Sequence, residues 1–265
     1  MKQKPTLAPL IFTLIAAVGG SILRLWSLHA AMDAQGLPTA HISSLVFVGT
    51  SIAVVAGSLL FARFSPGRSG RYEVLSDSTG SLVLSIAAAI LILAGSGIEF
   101  AEALLAGPGI SAPIMCLLGL AGSICCVITA LFRRRGQDAY PITELIPIVY
   151  LVVKLILNFK EWSIDPIIWD YCVILFALIF NLLAFHRGAG FVFNRGKPRA
   201  TLFYAMSAVY FCAAAIMDGI ADLSVSTIVT YSGFLLWQLP VILCLLSPNA
   251  PDAASGKRRR NAGNP

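Results

Sequence analysis

Eight long apolar stretches divide this chain, and the basic residues between them are unevenly placed. Every Lys and Arg except Arg24, Lys154 and Lys160 lies before the first stretch, after the last, or in every second connection between stretches. Cytoplasmic loops of membrane proteins retain Lys and Arg, so this alternation indicates which connections share one side of a membrane. The pattern predicts eight membrane-spanning helices with both termini in the cytoplasm.

Composition excludes a water-soluble fold. The chain is 57% hydrophobic and 12% charged, whereas soluble domains average about 45–50% apolar and about 25% charged. A helix needs about 20 apolar residues to cross a bilayer, and lipid offers no partner for unpaired backbone groups. We therefore expect an all-α polytopic bundle, with a single transmembrane domain over residues 1–246. Residues 247–265 are expected to form a basic, disordered cytoplasmic tail.

The expected spans follow the apolar stretches. They cover residues 8–28, 43–62, 81–104, 112–132, 143–159, 168–185, 201–220 and 228–246.

The net charge of +6 raises the question of nucleic acid. The basic runs at 133–135 and 257–260 resemble address signals, but each follows the end of a span, where positive charge fixes topology. We therefore expect these loops to contact the lipid bilayer and its anionic headgroups, and expect no nucleic-acid partner.

The two halves of the chain, 8–132 and 143–246, carry charges in a similar order. Each has a basic residue late in its first span, an arginine-rich loop after its second, and two acids near the end of its third. The residues concerned are Arg24, Glu99 and Glu102 in the first half and Lys154, Asp218 and Asp222 in the second. An even number of spans per half predicts two parallel four-helix repeats. The alternative is ordinary span architecture without a repeat.

Several polar side chains fall at one depth, in the outer third of the spans. The candidates are Arg24, Glu99, Glu102, Lys154, Asn158, Asp170, Asp218 and Asp222. An ionisable residue inside a bilayer costs at least about 2.5 kcal/mol and usually faces the bundle interior or a wet cavity. We expect these residues to converge on one outward-facing site that binds a small solute or an ion. The alternative is a structural network in which Arg24 and Lys154 pair with the acids and pin the helices together.

Enzyme signatures are absent from the sequence. It contains neither H-E-x-x-H nor G-x-S-x-G, nor a glycine-rich phosphate loop. The six cysteines form no C-x-x-C pair and are expected to be packing residues. We expect no enzymatic activity, cofactor or metal. Two function classes remain: a transporter-like bundle, and a membrane scaffold or accessory subunit. Neither a substrate nor an oligomeric state is predicted.

Three segments carry a resemblance to known sequences. They are Leu23-Arg24-Leu25, Asp33-Ala34-Gln35-Gly36-Leu37-Pro38, and Lys160-Glu161-Trp162-Ser163-Ile164-Asp165-Pro166 followed by Asp170-Tyr171. The chain resembles an uncharacterised family of small polytopic membrane proteins from anaerobic Gram-positive bacteria. The resemblance implies a bacterial plasma-membrane location and carries no activity.

Overall fold

The computed structural model describes residues 7–30, 42–65, 70–75, 78–106, 111–135, 140–162 and 168–247, except for the side chains at 106 and 161–170. Within these ranges the chain is helical and has no strand. The helices are α1 (Ala8–Ala30), α2 (Ile42–Phe64), α3 (Thr79–Ala106), α4 (Ser111–Arg135), α5 (Pro141–Trp162), α6 (Ile168–Val192), α7 (Pro198–Ala221) and α8 (Val225–Leu246). This confirms the eight-span, all-α prediction. Of the predicted tail at 247–265, residues 248–265 lie outside the described residues.

The helices extend beyond the apolar stretches that predicted them. α6 continues to Val192, although its span was predicted to end at residue 185, and so Arg187 lies on a helix instead of in a loop. Arg135 likewise lies in the last turn of α4 and is exposed. Long basic side chains reach the headgroup layer from a helix end, and a cation there also interacts favourably with the helix dipole. The alternating charges therefore mark helix ends as well as connections.

Two faces of the bundle follow from this order. We call the face at which α1, α3, α5 and α7 end the predicted outer face, and the opposite one the predicted inner face. At the inner face, the connection between α2 and α3 contains a short 3-10 helix, Tyr72–Leu75, that packs against α8 and α4.

Six helices form a ring. In the order α3, α4, α5, α6, α7 and α8, each packs against the next, and α8 closes the ring by packing against α3. α1 and α2 lie outside the ring and pack against α7. The most apolar stretch of α7 is 72% buried, compared with 28% for α1, because α7 is covered on both sides.

α3 and α8 approach each other closely in the ring. A Cβ atom added at Gly95 would lie 2.9 Å from the backbone nitrogen of Thr230, and one added at Gly233 would lie 3.0 Å from the carbonyl oxygen of Ala88. Small residues let helix backbones approach in a membrane, where dispersion contacts replace the hydrophobic effect. The two glycines therefore allow α3 and α8 to close the ring.

The turn after α6 is held by backbone hydrogen bonds. Asn194 adopts a left-handed conformation with φ 54°, and the N–H of Arg195 donates to the carbonyl of Gly190 at 3.0 Å. This is the geometry of a Schellman motif. The N–H of Gly196 then donates to the carbonyl of Gly70, also at 3.0 Å. The turn is thereby fixed to the connection that follows α2.

The contacts of α2 differ from those of α6. α6 packs against α7 within its own half, whereas α2 packs against α1 and against α7 of the other half. The two parallel four-helix repeats, 8–132 and 143–246, stay a prediction.

Candidate functional site

Polar side chains meet inside the ring, between helices that are not consecutive in it. The hydroxyls of Ser96 on α3 and Tyr150 on α5 form a hydrogen bond of 3.0 Å. Gln238 on α8 donates to the Oδ1 atom of Asn181 on α6, at 3.0 Å. All four residues are buried. Because these contacts cross from one side of the ring to another, the ring interior is occupied by polar groups.

An ion pair lies at the predicted outer end of this interior. Lys154 Nζ on α5 is 2.5 Å from Glu99 Oε2 on α3. Each residue lies one turn further out than a member of the Ser96–Tyr150 hydrogen bond, since residues three or four apart share a helix face. The Lys154 side chain is 6% exposed and that of Glu99 is 35% exposed. The carboxylate is therefore the more accessible partner.

A second ion pair lies near the predicted inner end. Arg133 on α4 donates to Glu144 on α5 at 3.2 Å, and both side chains are at most 3% exposed. The guanidinium of Arg133 also lies over the ring of Trp237 on α8, at 5.3 Å from its centroid. This pair was missed in the sequence because Arg133 belongs to a run of three arginines. The available signal was Glu144, an acid in the first turn of an apolar helix.

The described side chains in the middle of the interior are uncharged. Asn181 donates to the Sγ atom of Cys212 at 2.9 Å and to the carbonyl of Ala177 at 2.8 Å, while it accepts from Gln238. Asn181 can serve as both donor and acceptor, so one amide satisfies groups on three helices. Between the two ion pairs, the ring therefore holds amide, hydroxyl and thiol groups.

A third ion pair lies outside the ring interior. Arg24 Nε on α1 donates to Asp218 Oδ1 on α7 at 2.6 Å, and both side chains are buried. The guanidinium also lies over the ring of Phe47 on α2, 5.5 Å from its centroid. Because it contacts all three helices, Arg24 attaches α1 and α2 to the ring.

The other predicted site residues lie near helix ends at the predicted outer face. Glu102 is exposed and accepts a hydrogen bond of 2.6 Å from Ser226 on α8. Asp222 is an exposed C-cap of α7, and Asn158 is half-buried on α5. Asp170 lies in the first turn of α6, but its side chain is outside the described part.

The predicted site residues do not all lie between the same helices. Glu99 and Glu102 lie on α3, on one side of α8, whereas Asp218 lies on α7, on its other side. In the described contacts, the candidates form two separate ion pairs, Arg24–Asp218 and Lys154–Glu99, and Glu102 accepts a hydrogen bond from Ser226.

All eight helices are long and apolar enough to cross a membrane. The protein is a multi-pass integral membrane protein in contact with the lipid bilayer. No protein-family model, curated protein or solved structure matches the chain. The resemblance to bacterial polytopic proteins therefore stays a prediction.

Proposed function

We propose that this protein binds a small polar solute or an ion inside the six-helix ring and acts as a transporter-like membrane protein. The observation that supports this proposal is the chemistry of the ring interior. Polar or charged groups occupy it at successive depths from the Glu99–Lys154 pair to the Arg133–Glu144 pair. Ionisable and polar groups are expensive inside a membrane, and they commonly mark a solute or ion pathway.

The two ion pairs would then close the two ends of the pathway. Each pair neutralises its own charges while it is formed, and a solute with a charged or hydrogen-bonding group can compete for one partner. Glu99 is the more accessible carboxylate, so the outer pair should exchange with a solute first. Asn181 and Gln238 would offer hydrogen bonds to an uncharged part of the solute.

A membrane scaffold or accessory subunit is the second candidate, and a specific observation favours it. Glu99, Glu144 and Asp218 each pair with a basic side chain. Two adjoining cavities that share Gly190, Phe193 and Arg195 lie at the predicted inner face, and none of the described residues that line them is a carboxylate. On this alternative the ion pairs only hold the helices together.

A ligand screen with matched variants separates the two functions. Purified protein is heated with Na⁺, K⁺, Mg²⁺, inorganic phosphate, amino acids, sugars or nucleosides, and the unfolding temperature is measured. A ligand at 100 times its Kd adds about 2.7 kcal/mol to stability. We expect at least one probe to stabilise the wild type, and Glu99→Gln and Gln238→Leu to abolish that stabilisation.

Asp218→Asn is the control, because it removes a buried paired carboxylate outside the ring interior. It should lower the basal unfolding temperature and retain the stabilisation by ligand. If no probe stabilises the wild type, or if Glu99→Gln and Asp218→Asn lose the effect equally, the ring interior is not the binding site and the scaffold is favoured.

We also propose that the protein resides in a bacterial plasma membrane with both termini in the cytoplasm and catalyses no reaction. The alternating basic residues support the orientation. The resemblance described above supports the location, and the lack of enzyme signatures in the sequence supports the last point.

A further inference from the structure

An open groove runs between α5 and α6 on the outside of the ring, at the predicted inner face. Its volume is about 500 Å³. Ile142, Leu145 and Ile148 line it from one face of α5; Ala189 on α6 and Phe193 in the turn that follows α6 line its other side. Ile142, Leu145 and Phe193 are more than half exposed. In a membrane-spanning bundle, such side chains face lipid acyl chains.

The end of the groove near the headgroup layer is basic. His186, Arg187, Arg195 and Lys197 line it, and none of the described residues that line it is acidic. The Nε atom of Arg187 is buried and has no hydrogen-bond acceptor among the described residues. Arg187 also lines the groove, so its guanidinium is placed to donate to an anionic oxygen bound there.

The backbone fixes the basic side chains around this position. Arg195 is held by its hydrogen bond to Gly190, and Gly196 by its hydrogen bond to Gly70. A Cβ atom at Gly196 would overlap the ring of Phe191, so only glycine fits there. Arg195 and Lys197 therefore extend from a defined turn, which distinguishes this groove from a flexible basic loop.

We propose that this groove is a specific binding site for an anionic phospholipid of the adjoining leaflet. Its phosphate would accept hydrogen bonds from Arg187 and Arg195, and an acyl chain would lie along Leu145 and Ile148. Basic pockets between membrane helices bind anionic headgroups in this way. The site lies outside the ring interior and does not depend on the function proposed above.

Native mass spectrometry of the full-length protein in detergent tests this site. The probes are phosphatidylglycerol and phosphatidylcholine with identical acyl chains, each titrated separately, and inorganic phosphate as a third arm. We expect one phosphatidylglycerol to bind at least about tenfold more tightly than phosphatidylcholine. A basic residue near anionic lipid contributes about 1 kcal/mol, which is about fivefold in affinity. Arg187→Gln with Arg195→Gln should therefore weaken binding about 25-fold.

Two further variants separate the groove from general surface charge. Arg63→Gln with Arg135→Gln removes the same charge from exposed helix ends on the same face, and it should change affinity less than about twofold. Ala189→Phe fills the groove without changing charge and should weaken binding as much as the double groove variant.

The proposal is overturned if the wild type binds both lipids equally, or if phosphate at millimolar concentration occupies the site as well as the lipid does. It is equally overturned if the Arg63 and Arg135 control loses as much affinity as the groove variants. The wild-type preference is decisive even if a groove variant fails to fold.

Discussion

The Arg133–Glu144 pair allows a quantitative test of how a buried charge is held in this bundle. Both side chains are almost fully buried, but their surroundings differ. Arg133 lies over the ring of Trp237, whereas Glu144 takes its described side-chain hydrogen bond from Arg133. The removal of Arg133 should therefore be more destabilising than the removal of the Glu144 charge.

The expected magnitudes follow from this asymmetry. Arg133→Met leaves a buried carboxylate without its cation, which costs about 3–5 kcal/mol of unfolding free energy. After Glu144→Gln, the arginine keeps its contact with Trp237, and a desolvated cation–π contact contributes about 2 kcal/mol. That variant should then lose about 1–3 kcal/mol. The double variant Arg133→Met, Glu144→Met replaces the pair by apolar side chains and should lie within about 1 kcal/mol of the wild type.

The free energy of unfolding of the wild type and the three variants is measured by equilibrium unfolding in mixed micelles with increasing SDS, followed by tryptophan fluorescence. Arg135→Met is the control, since Arg135 is exposed at the end of the same helix; it should change stability by less than about 0.5 kcal/mol. The reasoning is refuted if Glu144→Gln is the more damaging single change. It is also refuted if the double variant loses as much as the two single variants together.

Two further predictions concern helix packing and topology. Gly95→Ala should lower the free energy of unfolding by about 1–3 kcal/mol, because its Cβ would meet the Thr230 backbone. Gly97→Ala is the control, since its Cβ would meet open space, and it should be neutral or slightly stabilising. Equal effects of the two variants in SDS unfolding would contradict the close α3–α8 approach. In a cysteine-free variant, single cysteines at positions 33, 107 and 163 should be labelled from outside intact cells, and those at 69, 136 and 195 only after permeabilisation. Labelling of position 136 or 195 in intact cells would contradict the predicted orientation. The cysteine is placed at position 195 and not at the neighbouring Gly196, because a side chain at Gly196 would overlap Phe191.

The helices could be predicted because a membrane span has a length requirement that a sequence displays directly. Their ends were less accurate. Arg187 follows an apolar stretch, and a change in composition was interpreted as the end of the helix. Helical hydrogen bonds remain favourable in the headgroup layer, however, and α6 continues to Val192. Composition reports where the hydrocarbon ends, which is not where a helix must end.

The depth of the candidate site residues in the membrane could be predicted from the sequence, but their interaction partners could be predicted only in part. Periodicity places a residue at a depth and on a helix face, so the sequence predicts Lys154 and Glu99 near one level, and in the structure the two form an ion pair. Which helices are neighbours is decided by close approaches such as the one at Gly95, and a single sequence does not contain that information. Ser96 and Tyr150 were missed for a related reason, since serine and tyrosine are common in spans and only their contact across the ring distinguishes them.

Arg24 and Lys154 show why helix neighbours decide the role of a charge. Both are buried cations late in a helix that ends at the predicted outer face, and each pairs with one acid. α1 packs against the outside of the ring through α7, so the charge of Arg24 joins α1 and α2 to the ring. α5 is a member of the ring, so the charge of Lys154 lies at the end of its polar interior. On the proposed function, opening the outer end of this interior would separate Lys154 from Glu99, whereas Arg24 and Asp218 could remain paired.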